Sequence, residues 1–475
     1  MLFCSLEFLF FFAALLLVYW LIPWRQPRIW LLLAASFYFY AAWNTWLAIL
    51  ISATTALDYL IALGMDRNAS EVRRKVLLVV SLVMNLGMLC YFKYANFFLQ
   101  SLAQALHAMG ASASLPLLRV MLPIGISFYT FEAINYTVDV YRRRVPAERN
   151  LGHFMLFVLF FPHLVAGPIV RARDFLPQIK RRKRFSWPRM HLGAQFFFLG
   201  LFKKLAIADR MALFVDPVFA NPHACGPATV WLAVIAYALQ IYCDFSGYTD
   251  MAIGAAHMLG YKLALNFNIP YVSANVSEFW RRWHISLSSW LRDYLFIPLG
   301  GSRGGSWKTN RNLLITMSLG GLWHGASWTF VVWGVLHGVL LIVHKAFQDF
   351  CKSRPRLDRA LQSLPGTLLR MAVTFLSVCV GWVFFRATTF TIAATVLRQM
   401  VSFQHSWAGK PMPHFGIVLM IALVFLCHLA RRFDLWRKWQ VHLPAPMLGF
   451  SYAAAVTLAL FLAPSGAKPF IYFQF

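Results

Sequence analysis

Apolar runs long enough to cross a lipid bilayer recur along the whole chain. The first covers residues 6–23, and similar runs follow at intervals up to residues 447–463. Only 13% of the 475 residues are charged, which is about half the charged fraction of a soluble domain. A spanning helix needs about 20 predominantly apolar residues, so the pattern predicts an all-α polytopic membrane protein with about 10–12 transmembrane helices.

The polar segments between these runs are short, and none has the length of a soluble domain. We therefore predict a single membrane-embedded domain over residues 1–475. Two of the runs contain proline and glycine near their middle, at residues 121–129 (MLPIGISFY) and 161–170 (FPHLVAGPIV). Broken helices are tolerated inside a membrane where the backbone is buried in protein or lines a cavity. The breaks predict re-entrant segments of this kind.

The chain carries a net charge of +27, and its basic residues cluster in short loops. The most basic loop is residues 171–189, RARDFLPQIKRRKRFSWPR. Lysine and arginine are enriched in cytoplasmic loops and contact anionic lipids. We therefore expect the basic loops to be cytoplasmic and to contact membrane lipid, and we expect no nucleic acid partner. A second role, attraction of a phosphate-bearing cytoplasmic donor, stays open. The seven cysteines form no C-x-x-C pair, which predicts no metal site.

Residues 261–311 are too polar to span a membrane and differ from the rest of the chain. Within them, Asn275 followed by Glu278 predicts a helix start. Apolar side chains then recur every three or four residues and predict one helical face, formed by Phe279, Trp283, Leu287, Trp290 and Tyr294. Arginines lie mostly on other faces, so the segment predicts an amphipathic helix in the membrane interface. His284 belongs to this helix.

His324 lies in the sequence LGGLWHGASW, residues 319–328, between long apolar runs. Ionisable residues inside membrane spans are costly and usually face a cavity or a partner. Gly320, Gly321 and Gly325 allow a neighbouring helix or a ligand to approach the backbone closely. A neutral imidazole here can act as a general base near pH 7, or it can be a core histidine that donates to a backbone carbonyl. The sequence leaves both roles open.

Asp244 lies in another apolar run, within YCDFSGYTDMAIG at residues 242–254. A carboxylate at this place can position a substrate, cap a helix end or pair with a buried base. The sequence does not choose among these roles.

Several well-known catalytic motifs are absent from the sequence. It has no H-E-x-x-H, Walker A or strand-linked G-x-G-x-x-G pattern, and no G-x-S-x-G elbow between a strand and a helix, which argues against zinc protease, nucleotide hydrolase, dinucleotide and serine hydrolase chemistry. Acyl transfer assisted by a histidine base stays open. So do a transporter or flippase whose histidines relay protons, and a membrane scaffold for soluble modifying enzymes. Inverted repeats are common in secondary transporters, but the pattern of residues 279–325 occurs once.

Two segments resemble the signature core of the membrane-bound O-acyltransferase (MBOAT) family. They are EFWRRWHISLSSWLRDYLFIPLGGSR (278–303) and GGLWHGASWTFVVWGVLHG (320–338), within a core of residues 242–345. YFKYANFF (91–98) and FPHLVAGPIVR (161–171) resemble the bacterial alginate O-acetylase branch of that family. The resemblance implies a ring of tilted helices around a central funnel, with re-entrant or interfacial helices.

The resemblance also implies which residues carry the chemistry. His324 corresponds to the catalytic histidine of the family and His284 to its second signature histidine. Further side chains are candidates for binding substrate or donor, namely Arg281, Arg282, Trp283, Asp244 and Trp323. Because guanidinium groups bind phosphates well, the two arginines are candidates for contact with the phosphates of the donor.

The activity that the resemblance implies is transfer of an acetyl group from a cytoplasmic thioester across the bacterial inner membrane. The donor implied is acetyl-CoA or another acyl thioester, acting as a substrate, so no bound cofactor is expected. The acceptor implied is an exported polysaccharide of the alginate type. It is reached directly or through a periplasmic acetyltransferase partner.

Overall fold

The computed structural model describes residues 1–111, 115–402, 415–432, 444–462 and 470–471. Within these ranges every regular element is helical. The predicted all-α class is therefore confirmed.

Contacts within the chain divide it into two compact units. The first is formed by Met1–Phe197 with Thr249–Ala264, and the second by Phe198–Tyr248 with Leu265–Phe475. The single domain over residues 1–475 stays a prediction.

In the first unit, helices follow one another closely along the chain. In order they are α1 (Leu6–Leu21), α2 (Arg25–Ala41), α3 (Thr45–Arg67), α4 (Glu71–Leu89), α5 (Ala95–Ala108), α6 (Ile126–Tyr141), α7 (Leu151–Leu159), α8 (Phe161–Leu164), α9 (Ala172–Lys180) and most of α10 (Trp187–Phe202). A π-helical segment, Cys90–Tyr94, joins α4 to α5.

Polar residues set the starts of several of these helices. The side chains of Ser5, Asn44 and Asn150 each accept a hydrogen bond from a backbone N–H in the first turn, at 3.2, 3.0 and 3.0 Å. Such caps satisfy N–H groups that have no partner inside the helix. They fix where α1, α3 and α7 begin.

The run at residues 161–170 is broken as predicted, because α8 ends after a single turn. Side chains of α6 bind the backbone beyond it. Glu132 Oε1 accepts the Val170 N–H at 2.9 Å, and Asn135 Nδ2 donates to the Val170 carbonyl at 3.0 Å. Glu132 Oε2 also lies 3.3 Å from His163 Nε2. These buried side chains supply the hydrogen bonds that a break inside a membrane protein requires.

The most basic loop, residues 171–189, includes α9 and the start of α10. Lys180 Nζ lies 2.7 Å from Glu148 Oε2. From α2, Arg28 donates to the carbonyl of Lys183 at 2.9 Å. These contacts hold the loop against other parts of the first unit.

The second unit contains the end of α10, followed by α11 (Asp209–Ala220), α12 (Pro227–Met258), α13 (Val276–Arg282), α14 (Ile285–Leu291), α15 (Gly305–His324), α16 (Trp328–Lys352), α17 (Pro355–Gln362), α18 (Leu364–Arg386), α19 (Phe390–Val401), α20 (Phe415–Arg432) and α21 (Ala445–Leu462). π-Helical segments at Lys203–Ala208 and Arg292–Phe296 follow α10 and α14, and 3-10 turns occupy Pro222–Ala224 and Pro270–Val272. From Thr249 onward, α12 belongs to the first unit.

Several helices have the length and apolarity of membrane spans. Five stretches among the described residues meet both criteria, namely Thr45–Arg67, Glu71–Ala108, Pro227–Met258, Trp328–Lys352 and Leu364–Arg386. Shorter apolar helices occur at Leu6–Leu21, Phe390–Val401 and Gly416–Arg431. The multi-pass membrane class is confirmed, whereas about 10–12 crossings and their arrangement as a ring stay predictions.

Candidate active site

His324 is the last residue of α15, directly before the turn into α16. The two helices approach each other closely through glycine. A Cβ atom at Gly321 would overlap the carbonyl of Phe330, and one at Gly334 would overlap the carbonyl of Met317. The predicted close approach of a neighbouring helix at Gly321 is therefore confirmed. The packing buries His324 at the end of α15.

His284 interrupts the segment that the sequence pattern predicts as one amphipathic helix. The predicted start is confirmed, because Asn275 caps α13 by accepting the N–H of Glu278 at 2.8 Å. The continuous helix is wrong, because Trp283 is extended and His284 is left-handed, with φ 42° and ψ 57°. A non-glycine residue in that region costs about 1–2 kcal/mol, which the contacts around it must offset.

Asn266 holds His284 in this conformation. Its Oδ1 accepts hydrogen bonds from the backbone N–H of Ser286 at 3.1 Å and from the Ser286 hydroxyl at 2.9 Å. Its backbone carbonyl accepts the N–H of Ile285 at 2.9 Å. The same Oδ1 lies 3.1 Å from His284 Nδ1. Since a backbone N–H can only donate, this Asn266 atom is the acceptor oxygen, and Nδ1 must carry the imidazole hydrogen.

The hydrogen on Nδ1 defines the chemical state of His284. Burial lowers the pKa of His284 to about 3, so the imidazole is neutral near pH 7. With the hydrogen on Nδ1, the lone pair is on Nε2. A neutral imidazole with this tautomer can accept a proton or a hydrogen bond through Nε2.

The two predicted histidines come together in the second unit. The centroids of the His284 and His324 rings are 6.4 Å apart. Trp323 lies beside both rings, 6.1 Å from the first and 5.0 Å from the second. Trp333 and Phe385 stand edge-on to His324 at 5.1 and 5.2 Å. These buried rings enclose the histidines in a region of low polarity, where electrostatic interactions are strong.

A cavity of about 320 Å³ lies along α14 and α15, the helices next to the two histidines. Its lining combines the guanidinium groups of Arg281 and Arg292 with the hydroxyls of Ser288 and Ser289, and Trp280 forms part of its wall. The indole Nε1 of Trp280 is buried and makes no hydrogen bond within the described part of the chain. Both serine hydroxyls donate to backbone carbonyls, those of Trp283 and Ser286, and Arg292 Nε lies 2.7 Å from Asp293 Oδ1. The cavity therefore offers an anionic ligand the guanidinium of Arg281, the Nη groups of Arg292 and the indole N–H of Trp280.

The structure separates the two arginines that the sequence predicts as donor-binding residues. Arg281 lines the cavity, whereas Arg282 Nη2 lies 2.8 Å from Glu278 Oε1. Trp283 is fully buried, and Trp323 packs beside the two histidines. A role of these four residues in binding substrate or donor stays a prediction.

Asp244 belongs to a buried cluster of charges. Lys204 Nζ lies 2.7 Å from Asp244 Oδ1 and 2.8 Å from Asp209 Oδ1. The backbone N–H of Ile471 donates to Asp244 Oδ2 at 2.7 Å. Burial disfavours a charged lysine, and the two carboxylates offset this cost by pairing with it. The structure thus shows the buried ion pair, and substrate binding by Asp244 stays a prediction.

The sequence pattern does not single out Asn266, Lys204 or Arg292. Lys204 lies in the apolar stretch LFKKLAIA, residues 201–208, where a lysine signals a buried partner. Asn266 gives no local signal, because its partners His284 and Ser286 follow 18 and 20 residues later. Its role depends on contacts that only the folded chain forms.

The arrangement is suited to general base catalysis. It offers a neutral imidazole at His284, a second buried imidazole at His324, and arginines in the neighbouring cavity. Among the residues that the structure describes, no group of three or more histidine, cysteine, aspartate or glutamate side chains is placed to hold a metal ion. The residues present can accept a proton and bind an anion.

The chain is similar to known acyltransferases over most of its length. The family model described as "MBOAT, membrane-bound O-acyltransferase family" matches residues 147–357. The chain is 45% identical over 408 residues to "Probable alginate O-acetylase AlgI" of Azotobacter vinelandii, which covers 85% of this chain and 78% of the relative. It is 37% identical over 401 residues to a peptidoglycan O-acetyltransferase of Helicobacter pylori, covering 79% and 74%. It is 28% identical over 283 residues to a teichoic acid D-alanyltransferase of Bacillus subtilis, covering 56% and 69%.

The chain therefore belongs to the membrane-bound O-acyltransferase family. It is an O-acyltransferase, and the resemblance seen in the sequence motifs is confirmed. The range matched by the family model contains both His284 and His324. Their catalytic roles stay predictions.

Proposed function

We propose that the protein transfers an acetyl group from a cytoplasmic thioester to a hydroxyl group of an exported polysaccharide. One observation carries the proposal: two buried imidazole rings lie 6.4 Å apart, and a cavity with two arginines in its lining runs along α14, which begins directly after His284, and α15, which ends at His324. The names of the relatives support the choice of acetyl group and polysaccharide, since they include an alginate O-acetylase and a peptidoglycan O-acetyltransferase. Alginate or a similar polymer is the acceptor that we favour.

In the proposed reaction His324 is the general base. It takes the proton of the acceptor hydroxyl as the oxygen attacks the carbonyl carbon of the thioester. The new C–O bond forms and the C–S bond breaks, and the leaving thiolate recovers the proton from the imidazolium. His284 accepts a hydrogen bond from the acceptor through Nε2 and orients it. Holding both reactants in place can supply roughly 7–11 kcal/mol of the barrier reduction.

We place the donor in the cavity along α14 and α15. Arg281 supplies the positive charge that the phosphates of acetyl-CoA, or of another phosphate-bearing thioester, require. Arg292, whose Nε lies 2.7 Å from Asp293 Oδ1, adds its Nη groups as hydrogen-bond donors. Trp280 Nε1 and Thr316 Oγ1 are buried and make no hydrogen bonds within the described ranges, and both residues line the cavity. An amide-containing donor arm can satisfy both groups.

The proposed route runs across the bacterial inner membrane. The basic loops, of which residues 171–189 are the strongest case, lie on the cytoplasmic side because lysine and arginine are enriched there. The acceptor hydroxyl comes from the opposite side. It belongs either to the polysaccharide itself or to a periplasmic acetyltransferase partner that completes the transfer.

The test is replacement of the base in cells that produce the polysaccharide. His324→Ala should abolish acetyl esters on the polymer while the protein stays in the membrane at its normal level. His107→Ala is the matched control, since His107 is exposed on α5, and it should leave esterification unchanged. Normal polymer acetylation in the His324→Ala strain would refute the proposed mechanism.

A further inference from the structure

The cavity and His324 share one face of α15. Thr316, Gly320 and His324 are spaced by four residues, so their side-chain positions are aligned along the helix. Thr316 lines the cavity, and His324 is about 12 Å further along the helix at 1.5 Å per residue. A group that moves from the cavity to His324 along this face must pass Gly320.

Leu291 covers the helix at Gly320. A Cβ atom added to Gly320 would lie 3.2 Å from Leu291 Cδ1, and among the described residues this is the only atom within 4 Å apart from the two chain neighbours and the backbone of its own helix. Leu291 also lines the cavity and is 5% exposed. The Leu291 side chain therefore lies at the end of the cavity and covers Gly320, which has no side chain.

Beyond Gly320 the space is bounded by aromatic rings. Trp323, Trp333 and Phe385 have their centroids 5.0–5.2 Å from the His324 ring. All three are at most 4% exposed, and aromatic rings packed in this way yield little without a change in neighbouring rotamers. The space at His324 suits a small acyl group.

We propose that Leu291 and Gly320 form a constriction that sets the acyl chain length the enzyme accepts. The constriction admits an acetyl group over the glycine and rejects acyl chains of about four carbons or more, because added methylene groups must displace the Leu291 side chain. The proposal rests on the proposed function and identifies the residues that give that reaction its specificity.

The test uses membranes from polysaccharide-producing cells, which hold the full chain with its natural acceptor. Radiolabelled acetyl-CoA or butyryl-CoA is added, and label in the polysaccharide is measured. For Leu291→Ala we expect the ratio of butyryl to acetyl incorporation to rise at least tenfold. Leu319→Ala removes the same side chain from the exposed face of α15, and this control should leave the ratio unchanged.

A second variant tests the constriction in the opposite direction. Gly320→Ala should lower acetyl incorporation about tenfold, because the new methyl group meets Leu291. The double variant Gly320→Ala with Leu291→Ala should regain acetyl incorporation. A folding defect caused by Gly320→Ala would not be repaired in this way. The amount of protein in the membranes is measured for each variant. Such recovery indicates that the two side chains are energetically coupled because they occupy the same part of the path.

The outcomes separate this proposal from the proposed function. In one outcome the natural protein incorporates acetyl, but Leu291→Ala does not change the ratio of butyryl to acetyl incorporation, or does not rescue Gly320→Ala. Either failure refutes the constriction and leaves the proposed function intact. If the natural sequence incorporates no label from acetyl-CoA, the proposed donor is refuted, and the constriction with it.

Discussion

Both units of the molecule bury histidines, and His163 of the first unit is held differently from His284 of the second. In the first unit, His163 Nε2 lies 3.0 Å from the carbonyl of Phe157 and 3.3 Å from Glu132 Oε2. In the second, Asn266 Oδ1 lies 3.1 Å from His284 Nδ1. Both imidazoles are at most 1% exposed. They therefore carry the hydrogen on opposite nitrogens, since each acceptor requires a donor.

The difference shows why burial alone does not identify a catalytic histidine. The partners of His163 are a carboxylate and a carbonyl of its own unit, and Glu132 also binds the backbone at Val170. These contacts stabilise the backbone where the helical run breaks after α8. The lone pair of His284 is instead on Nε2, the nitrogen opposite Asn266, and its ring lies 6.4 Å from that of His324. Variants of each region should therefore affect different properties.

The largest effect is expected from the first unit. Glu132→Ala removes the neighbour of the buried imidazole and the acceptor of the Val170 N–H. Breaking a buried interaction of this kind costs about 3–5 kcal/mol of unfolding free energy. Thermal unfolding in detergent should show the loss, whereas acetyl transfer per folded molecule should be unchanged.

Two matched variants sharpen this expectation. Glu132→Gln keeps an oxygen acceptor for Val170 and should lose less stability than Glu132→Ala. Glu7→Ala removes an exposed carboxylate of α1 and should lose almost none. If Glu132→Ala lowers acetyl transfer per folded molecule strongly, this region takes part in the reaction and the contrast between the units fails.

A smaller effect, on rate, is expected in the second unit. His284→Gln removes the Nε2 acceptor but keeps a polar side chain, and acetyl transfer should fall about 10- to 100-fold, equivalent to about 1.4–2.7 kcal/mol. The thermal midpoint should change little. His107→Gln is the control. A variant that is unstable but has a normal rate would place His284 in the same structural class as His163.

The smallest effect is a pH dependence of stability. The unfolded chain protonates His284 below about pH 6.5, whereas in the folded chain burial lowers the pKa of His284 to about 3. Between these values the unfolded state binds more protons, so stability falls as pH falls, by at most about 1.4 kcal/mol per pH unit. Thermal unfolding between pH 7 and 5 should show a shallower decline for His284→Gln than for the natural sequence. Identical slopes would contradict the assignment.

Much of the fold follows from local sequence patterns. Long apolar runs give the polytopic all-α class, Asn275 with Glu278 gives the start of α13, and Gly321 gives the close approach of α16. These features depend on residues within a few positions of one another or on composition. They are set by helix capping, steric size and hydrophobicity.

The remaining features depend on partners far apart in the chain. The pattern of apolar residues predicts a helix through His284, but Asn266 ends it by binding the backbone on the far side of the break. The pairing of Lys204 with Asp244 likewise joins different elements. The cavity at Leu291 arises from the packing of α14 against α15. Such contacts are properties of the tertiary structure, and periodicity in one segment does not contain them.

In the proposed reaction the protein itself forms the ester, with His324 as the base. The most direct measurement uses purified protein in detergent micelles, where no membrane separates two compartments and no gradient exists. Labelled acetyl-CoA is added together with the polysaccharide and the periplasmic fraction of the producing organism, which supplies any partner acetyltransferase, and ester formation is measured. We expect labelled ester with the natural protein and none with His324→Ala. Ester formation at an equal rate by both proteins, or none without a gradient, would contradict the proposed reaction.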